Sequence, residues 1–197
     1  MSIHASRLLD IFDQAYQKGH DLANATRVLA HELFSTYGLV IIDGDDKKLK
    51  KLFIPHLKRE LVEELSSAKV EEQSELLGTK YKLQVNPREV NLFYLTEDYR
   101  ARIVKENGTY FIHEQSSSFS EKEILEELEN NPERFSPNVL MRPLCQETIL
   151  PNLAYIGGGG ELAYWFQLRS SFEAFGEKLP LLLLRNSVLF LDKKRID

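Results

Sequence analysis

The chain has 197 residues, 43% of them hydrophobic and 28% charged, ordinary globular values that exclude a disordered or fibrous polymer. That length is enough to bury roughly 70% of the unfolded surface, so neither metal nor disulfide is needed to hold a core. A net charge of −5, from 25 Lys plus Arg against 30 Asp plus Glu, argues against non-specific nucleic-acid binding, and no apolar run reaches the roughly 18 residues of a transmembrane helix.

Leu8, Leu9, Ile11, Phe12, Ala15 and Tyr16 recur at the helical period until Gly-His-Asp at 19–21 interrupts them. Asp21 is placed to cap a second helix, whose stripe of Leu22, Ala25, Val28, Leu29 and Leu33 runs to Tyr37-Gly38, where glycine supplies a left-handed exit. The run LVIID at 39–43 shows no polar alternation and is expected to be a core strand covered on both faces. From Asp45 to Leu77 the pattern is helical again, with Leu49, Leu52, Phe53, Leu57, Leu61 and Leu65 as the buried row. Pro55 lacks an amide, so a kink or a fresh helix start is expected there, with His56 as a polar flank.

Beyond Gly78 the period changes to two. YKLQV at 81–85, NLFYL at 91–95, RARIV at 100–104 and TYFIH at 109–113 have the spacing of an antiparallel meander, with Asn107-Gly108 its strongest hairpin signal. An acidic helix follows at 120–130, opened by a capping box of Ser120 and Glu123, with Ile124, Leu125 and Leu128 inward and its glutamates in solvent.

The last section, 138–197, is poor in charge before its terminus. Four consecutive glycines, Gly157, Gly158, Gly159 and Gly160, join a short apolar segment to a periodic helix carrying Leu162, Trp165, Phe166 and Leu168. Free amides at a helix start attract phosphate or carboxylate, although a plain β–α turn fits four glycines equally, and the run matches neither GxGxxG nor a phosphate loop. Glu161, followed by Tyr164 and Trp165, is placed to accept hydrogen bonds from an amine or hydroxyl. Arg142, isolated in the apolar run NVLMRP ahead of Gln146, must find an acid, an anionic ligand or solvent. Cys145 has no partner for an internal disulfide and reads as a small core residue. No basic segment followed by an apolar stretch opens the chain, so the expected compartment is the cytoplasm. The histidines show no metal-ligand spacing, and no metal is expected.

The block NVLMRPLCQETILPNLAYIGGGGELAYWFQL resembles the cysteine-adding enzymes of bacillithiol biosynthesis, also called cysteine ligases. Supporting matches are GLVIIDGDD at 38–46 and NLFYL with its downstream hairpin and acidic helix. The resemblance implies an α/β fold: a partial Rossmann-like core with helical segments and an inserted small antiparallel β meander. The segments divide as 1–77 (helices and one strand), 78–137 (meander and acidic helix) and 138–197 (a β-α-β section with the glycine loop). It also implies a cytoplasmic homodimer with a coiled coil that joins L-cysteine to glucosaminyl-malate with a nucleotide involved, ATP or else ADP as product, the carboxyl being activated by adenylation or phosphorylation, and neither nucleic acid nor membrane as partner. Carried over by residue, Glu161, Arg142 and Gln146 are the catalytic candidates, and Gly157 to Gly160, Tyr164 and Trp165 the substrate or cofactor contacts. Gly159 departs from the proline common in the family.

Members run to more than twice this length, and their Gly-Gly-Gln-Gln-Ala-Gly and Glu-Asp-His-Asp stretches are missing here, so the chain reads as an internal section, inactive alone. Forming an amide from the cysteine carboxyl group requires activation of a poor electrophile. The glycine amides, the Glu161 carboxylate and the Arg142 guanidinium are expected to face one shared cavity. A non-catalytic dimerisation or interaction module, and another sugar-modifying enzyme such as a deacetylase or glycosyltransferase, are the alternatives.

Overall fold

The computed structural model describes residues 4–189, which fall into two compact units meeting between Asp46 and Lys47. In the first unit, α1 (Ala5–Ala15) and α2 (Leu22–Phe34) bury Ile11, Ala15 and Ala25. The Asp21 carboxylate accepts from the Asn24 amide at 2.7 Å, so the expected cap is formed. A 3-10 turn over Ser35–Tyr37 ends on Gly38 at φ 78°, the left-handed position that glycine reaches without strain. The expected strand at 39–43 is not formed. A strand needs a neighbour to take its amides, and among the described residues of this unit there is none; Leu39, Val40 and Ile42 are exposed instead.

The second unit opens with α3 (Lys47–Glu63) and α4 (Leu65–Gly78). Helix α3 runs through Pro55, whose ring is exposed, and the break comes later, at Glu64 with φ 52°. Two contacts account for its position. The buried Glu60 carboxylate accepts from both the Ser66 amide at 3.0 Å and the Ser66 hydroxyl at 2.7 Å, closing the turn. Lys105 pairs with Glu64 at 2.9 Å and donates to the Leu61 carbonyl at 3.2 Å, putting a cation at the helix C-terminus.

Five antiparallel strands follow: β1 (Leu92–Leu95), β2 (Arg100–Glu106), β3 (Thr109–Ile112), β4 (Ser118–Ser120) and β5 (Phe135–Pro137), in the order β4-β3-β2-β1-β5. Asn107 and Gly108, both at positive φ, turn the β2–β3 hairpin. Pro137 is tolerated because β5 is an edge. Between β4 and β5, α5 (Glu121–Asn130) starts with the expected capping box and buries Ile124 and Leu128. Leu92, Tyr94, Ile103, Tyr110, Ile112 and Phe135 share one core cluster with Phe53, Leu57 and Leu61 of α3.

The segment 81–85 carries no strand pairing. Its amides are taken by a side chain: buried Gln167 accepts from the Gln84 and Val85 amides at 2.7 and 3.2 Å, and donates to the Val85 carbonyl and to the Ser74 hydroxyl. The region 138–151 contains helix α6 (Met141–Ile149). Next come β6 (Ala154–Gly157), α7 (Gly159–Phe166), α8 (Arg169–Phe175) and β7 (Leu181–Leu184), with β6 and β7 paired in parallel from Ala154 opposite Leu181 to Gly157 opposite Leu184. This strand–helix–strand unit with parallel strands, beside the five-stranded antiparallel sheet, makes the fold mixed α/β. Among the described residues no helix is long and apolar enough to cross a membrane.

Candidate functional site

Strands β6 and β7 end side by side, and at the carboxyl ends of parallel strands the chain turns outward and leaves a crevice for ligands. Gly157 is the last residue of β6, Gly158 caps α7, and Gly159 and Gly160 form its first turn. The four glycines are there for different reasons. A Cβ at Gly157 would lie 2.7 Å from the Tyr155 ring, and one at Gly158 would lie 3.3 Å from the Arg185 guanidinium. Nothing stands within 4 Å of the Cβ position at Gly159 or Gly160. Both are exposed in the first turn of α7, whose amides have no partner within the helix and suit an anion.

Glu161 folds back on the turn. One carboxylate oxygen accepts from the Gly158 amide at 2.8 Å and the other from the Tyr155 hydroxyl at 3.2 Å. These bonds, the Gly158 amide foremost, hold its carboxyl below the usual carboxylate range. Beyond β7, the Arg185 amide donates to the Gly157 carbonyl at 2.9 Å, which carries the Arg185 guanidinium against Gly158.

Arg142, part-buried on α6, donates to Gln146 Oε1 at 3.0 Å and to the Tyr164 hydroxyl at 2.7 Å. Gln146 lies one helical turn further on and donates in turn to Glu147 at 3.0 Å. Buried Glu147 accepts from the Asn152 amide at 2.8 Å, fixing the loop that leads into β6. Burial would lower the Arg142 pKa, but the Tyr164 hydroxyl beside it more than compensates and it is raised. Burial also raises the Tyr155 phenol; this hydroxyl stands in the field of both Arg142 and Glu161 and joins the two groups. The Cys145 thiol is pushed up to about 11 by burial, so it is no nucleophile at neutral pH.

The structure therefore brings Arg142, Gln146 and Tyr164 into one hydrogen-bonded group and Gly158 and Glu161 into a second. Trp165 lies beneath them in the core, its ring stacked on Tyr155 with centroids 4.1 Å apart. Gly159 borders a cavity of about 500 Å³ together with Leu162, Phe166 and Leu184, whereas Arg142 borders another of about 540 Å³. Neither of these two is the shared cavity that was expected. His56, placed as a polar flank, bonds Glu177 at 2.9 Å and packs edge-on against Phe53 and Phe175. Among the described residues no group of His, Cys, Asp and Glu could hold a metal.

Sequence reasoning missed Tyr155 and Arg185. Tyr155 stands two positions before Gly157 on one strand face, so an aromatic paired with an obligatory glycine was its signal. Arg185 is the first charge after LLLL, at the carboxyl end of a parallel strand.

A family model described as "Bacillithiol biosynthesis BshC, N-terminal Rossmann-like domain" matches residues 1–186. A Flavobacterium johnsoniae protein named "Putative cysteine ligase BshC" is 53% identical over 194 residues, 98% of this chain and 36% of the relative. Proteins of the same name are 51% identical over 195 residues in Christiangramia forsetii, covering 98% of this chain and 36% of theirs, and 33% identical over 192 residues in Bacillus cereus, covering 94% and 35%. The chain thus spans about a third of the length of the curated relatives it matches. With a family match over nearly all its residues, and a parallel strand pair ending at the glycine turn, this chain belongs to the BshC family of bacillithiol biosynthesis.

Proposed function

We propose that this chain is part of a ligase that joins L-cysteine to glucosaminyl-malate through an activated carboxyl group. The reading is carried by one observation: relatives named as cysteine ligases align over almost the whole chain, including the glycine turn at which the Arg185 guanidinium lies against Gly158. The new bond joins the cysteine carbonyl carbon to the sugar amine nitrogen; the amine loses a proton and the oxygen leaving group departs from that carbon. ATP, held by the first turn of α7 and Arg185, would supply the activation that a carboxylate needs, by adenylation or by phosphorylation of that carboxylate. The residues present fit such a phosphate donor, because bare first-turn amides and a guanidinium meet at the carboxyl ends of two parallel strands.

Each side chain then has a stated task. The first-turn amides of Gly159 and Gly160 and the Arg185 guanidinium bear negative charge; Gln146 holds Arg142, and Arg142 pairs with an anionic group of the substrate. Glu161 keeps the turn in shape and uses its remaining lone pairs to orient an amine or hydroxyl. Tyr164 holds Arg142 from the other side, and Trp165 supports the Tyr155 ring. The full-length enzyme is read as a cytoplasmic homodimer acting on small molecules, with a coiled coil outside this section and neither nucleic acid nor membrane as partner.

The test is bacillithiol formation by a full-length relative carrying the change that corresponds to Glu161→Gln. Activity falls about tenfold or more while the thermal midpoint stays put. An unchanged rate removes Glu161 from the mechanism. The 197-residue chain alone gives no product, and turnover by it at the full-length rate would overturn its assignment as a section of the enzyme.

A further inference from the structure

We propose that a four-arginine cavity on the outer face of the antiparallel sheet is a binding site for a small organic dianion, a dicarboxylate or a phosphate monoester. The cavity, about 540 Å³, is lined by Arg88, Arg100, Arg102 and Arg142. Its floor is set by strand register. Phe93 of β1 lies opposite Arg102 of β2 and Ser136 of β5, and Arg100 stands two residues before Arg102, so these side chains share the sheet face turned away from the core. Arg142 comes in from the first turn of α6, and Arg88 from the loop before β1.

Charge balance is the reason to expect a ligand. Arg27, Arg59, Arg134 and Arg169 each have an acid within 2.8–3.5 Å. Among the described residues none of the four cavity arginines has a carboxylate partner within 4.0 Å, and their neighbours in the wall are amides and apolar groups. In a chain of net charge −5, four guanidinium groups gathered without one acid repel each other unless an anion joins them. Two are already oriented by neutral contacts. The Arg100 guanidinium lies 3.6 Å from the Phe93 ring centroid, and Arg142 is held by Gln146 and Tyr164. Neither contact uses all five N–H donors of its arginine, so planar two-pronged recognition of carboxylate or phosphate remains available.

Volume and wall chemistry select the class. A lone inorganic anion would leave most of a cavity this size empty, and Val85, Phe93 and Val139 offer apolar wall to a carbon skeleton. The site shares Arg142 with the group near the β6–α7 turn, but it does not rest on the ligase reading.

The test is calorimetric titration of the 197-residue chain with succinate, glycerol 3-phosphate and, as a monoanion control, acetate. Saturable binding of succinate or glycerol 3-phosphate is expected, acetate is not expected to saturate, and the tighter probe decides between the two anion chemistries. Arg102→Gln and Arg88→Gln each weaken that binding about tenfold, as loss of one charged hydrogen-bonding group does. Because removing an uncompensated cation relieves repulsion, both variants keep or raise the Tm without ligand. Absence of saturation by both dianions, equal binding by wild type and both variants, or a lowered Tm with binding intact would each overturn the proposal.

Discussion

Asn138 binds Asn91 twice: its side-chain amide donates to the Asn91 side-chain oxygen at 2.8 Å, and its backbone amide donates to the Asn91 backbone carbonyl at 3.0 Å. Asn91 is fully buried, and its own amide groups reach Glu60 Oε1 at 2.9 Å, the Ser66 hydroxyl at 2.8 Å and the Arg88 carbonyl at 2.7 Å. The Asn138 side-chain oxygen accepts from the Leu140 amide at 2.8 Å and so serves the start of α6. One polar thread thus runs from the α3–α4 break, past β1, to the helix that carries Arg142. Asn91→Ala strands several buried donors and acceptors and is expected to cost about 3 kcal/mol in urea unfolding. A cost below about 1 kcal/mol would mean that the thread is not what holds these elements together.

Glu60 lies on the same thread and gives stability a pH dependence. Burial raises its pKa, outweighing the bonds from Ser66 and Asn91. The folded state therefore binds more protons than the unfolded state between the ordinary value of 4.5 and the raised one, and stability from this group falls as pH rises across that window. Below 4.5 the contribution is complete. The difference in unfolding free energy between wild type and Glu60→Gln should shrink as pH rises from 4.5, then level off; a pH-independent difference would show that Glu60 titrates normally.

Gln167→Ala removes the side chain that pairs with residues 84 and 85. Hydrogen exchange at the Gln84 and Val85 amides should accelerate while the amides of β1 to β3 keep their protection, with a global cost of about 2–3 kcal/mol. Retained protection at 84 and 85 would place their bonding elsewhere.

Within the glycine run, two substitutions separate packing from ligand approach. Gly157→Ala meets the Tyr155 ring at 2.7 Å and should destabilise by about 1–3 kcal/mol. Gly160→Ala enters open space in a helix and should stabilise by about 0.5–1 kcal/mol. On the proposed function, the corresponding Gly160 change in a full-length relative should nevertheless raise the KM for ATP, because the added methyl group would crowd the phosphate proposed to bind at that turn. An unchanged KM would detach that amide from the ligand.

What was legible in the sequence was local chemistry. The Asp21 cap, the Asn107-Gly108 hairpin and the Ser120–Glu123 capping box each depend on residues a few positions apart, and all three formed as read. YKLQV misled because its amides found a side chain 83 positions further on. LVIID misled because an apolar run says nothing about whether a neighbouring strand is there to pair with it. The break assigned to Pro55 moved to Glu64, where a carboxylate one turn earlier and Lys105 of β2 stabilise a left-handed residue. At the site, Arg142 stood out as a lone charge in an apolar run and Gln146 through the family resemblance, whereas the helix that brings them together was not legible and Tyr155 and Arg185 join only through the parallel pairing of β6 with β7.

Cys145 turns this architecture into its own reporter. With its thiol pushed up to about 11, only about one molecule in ten thousand carries the reactive anion at pH 7. The side chain rests against the core from α6, the helix that also carries Arg142 and Gln146. As the single sulfhydryl in the sequence, it makes the alkylation rate of the whole protein a clock for how often that helix lifts from its bed.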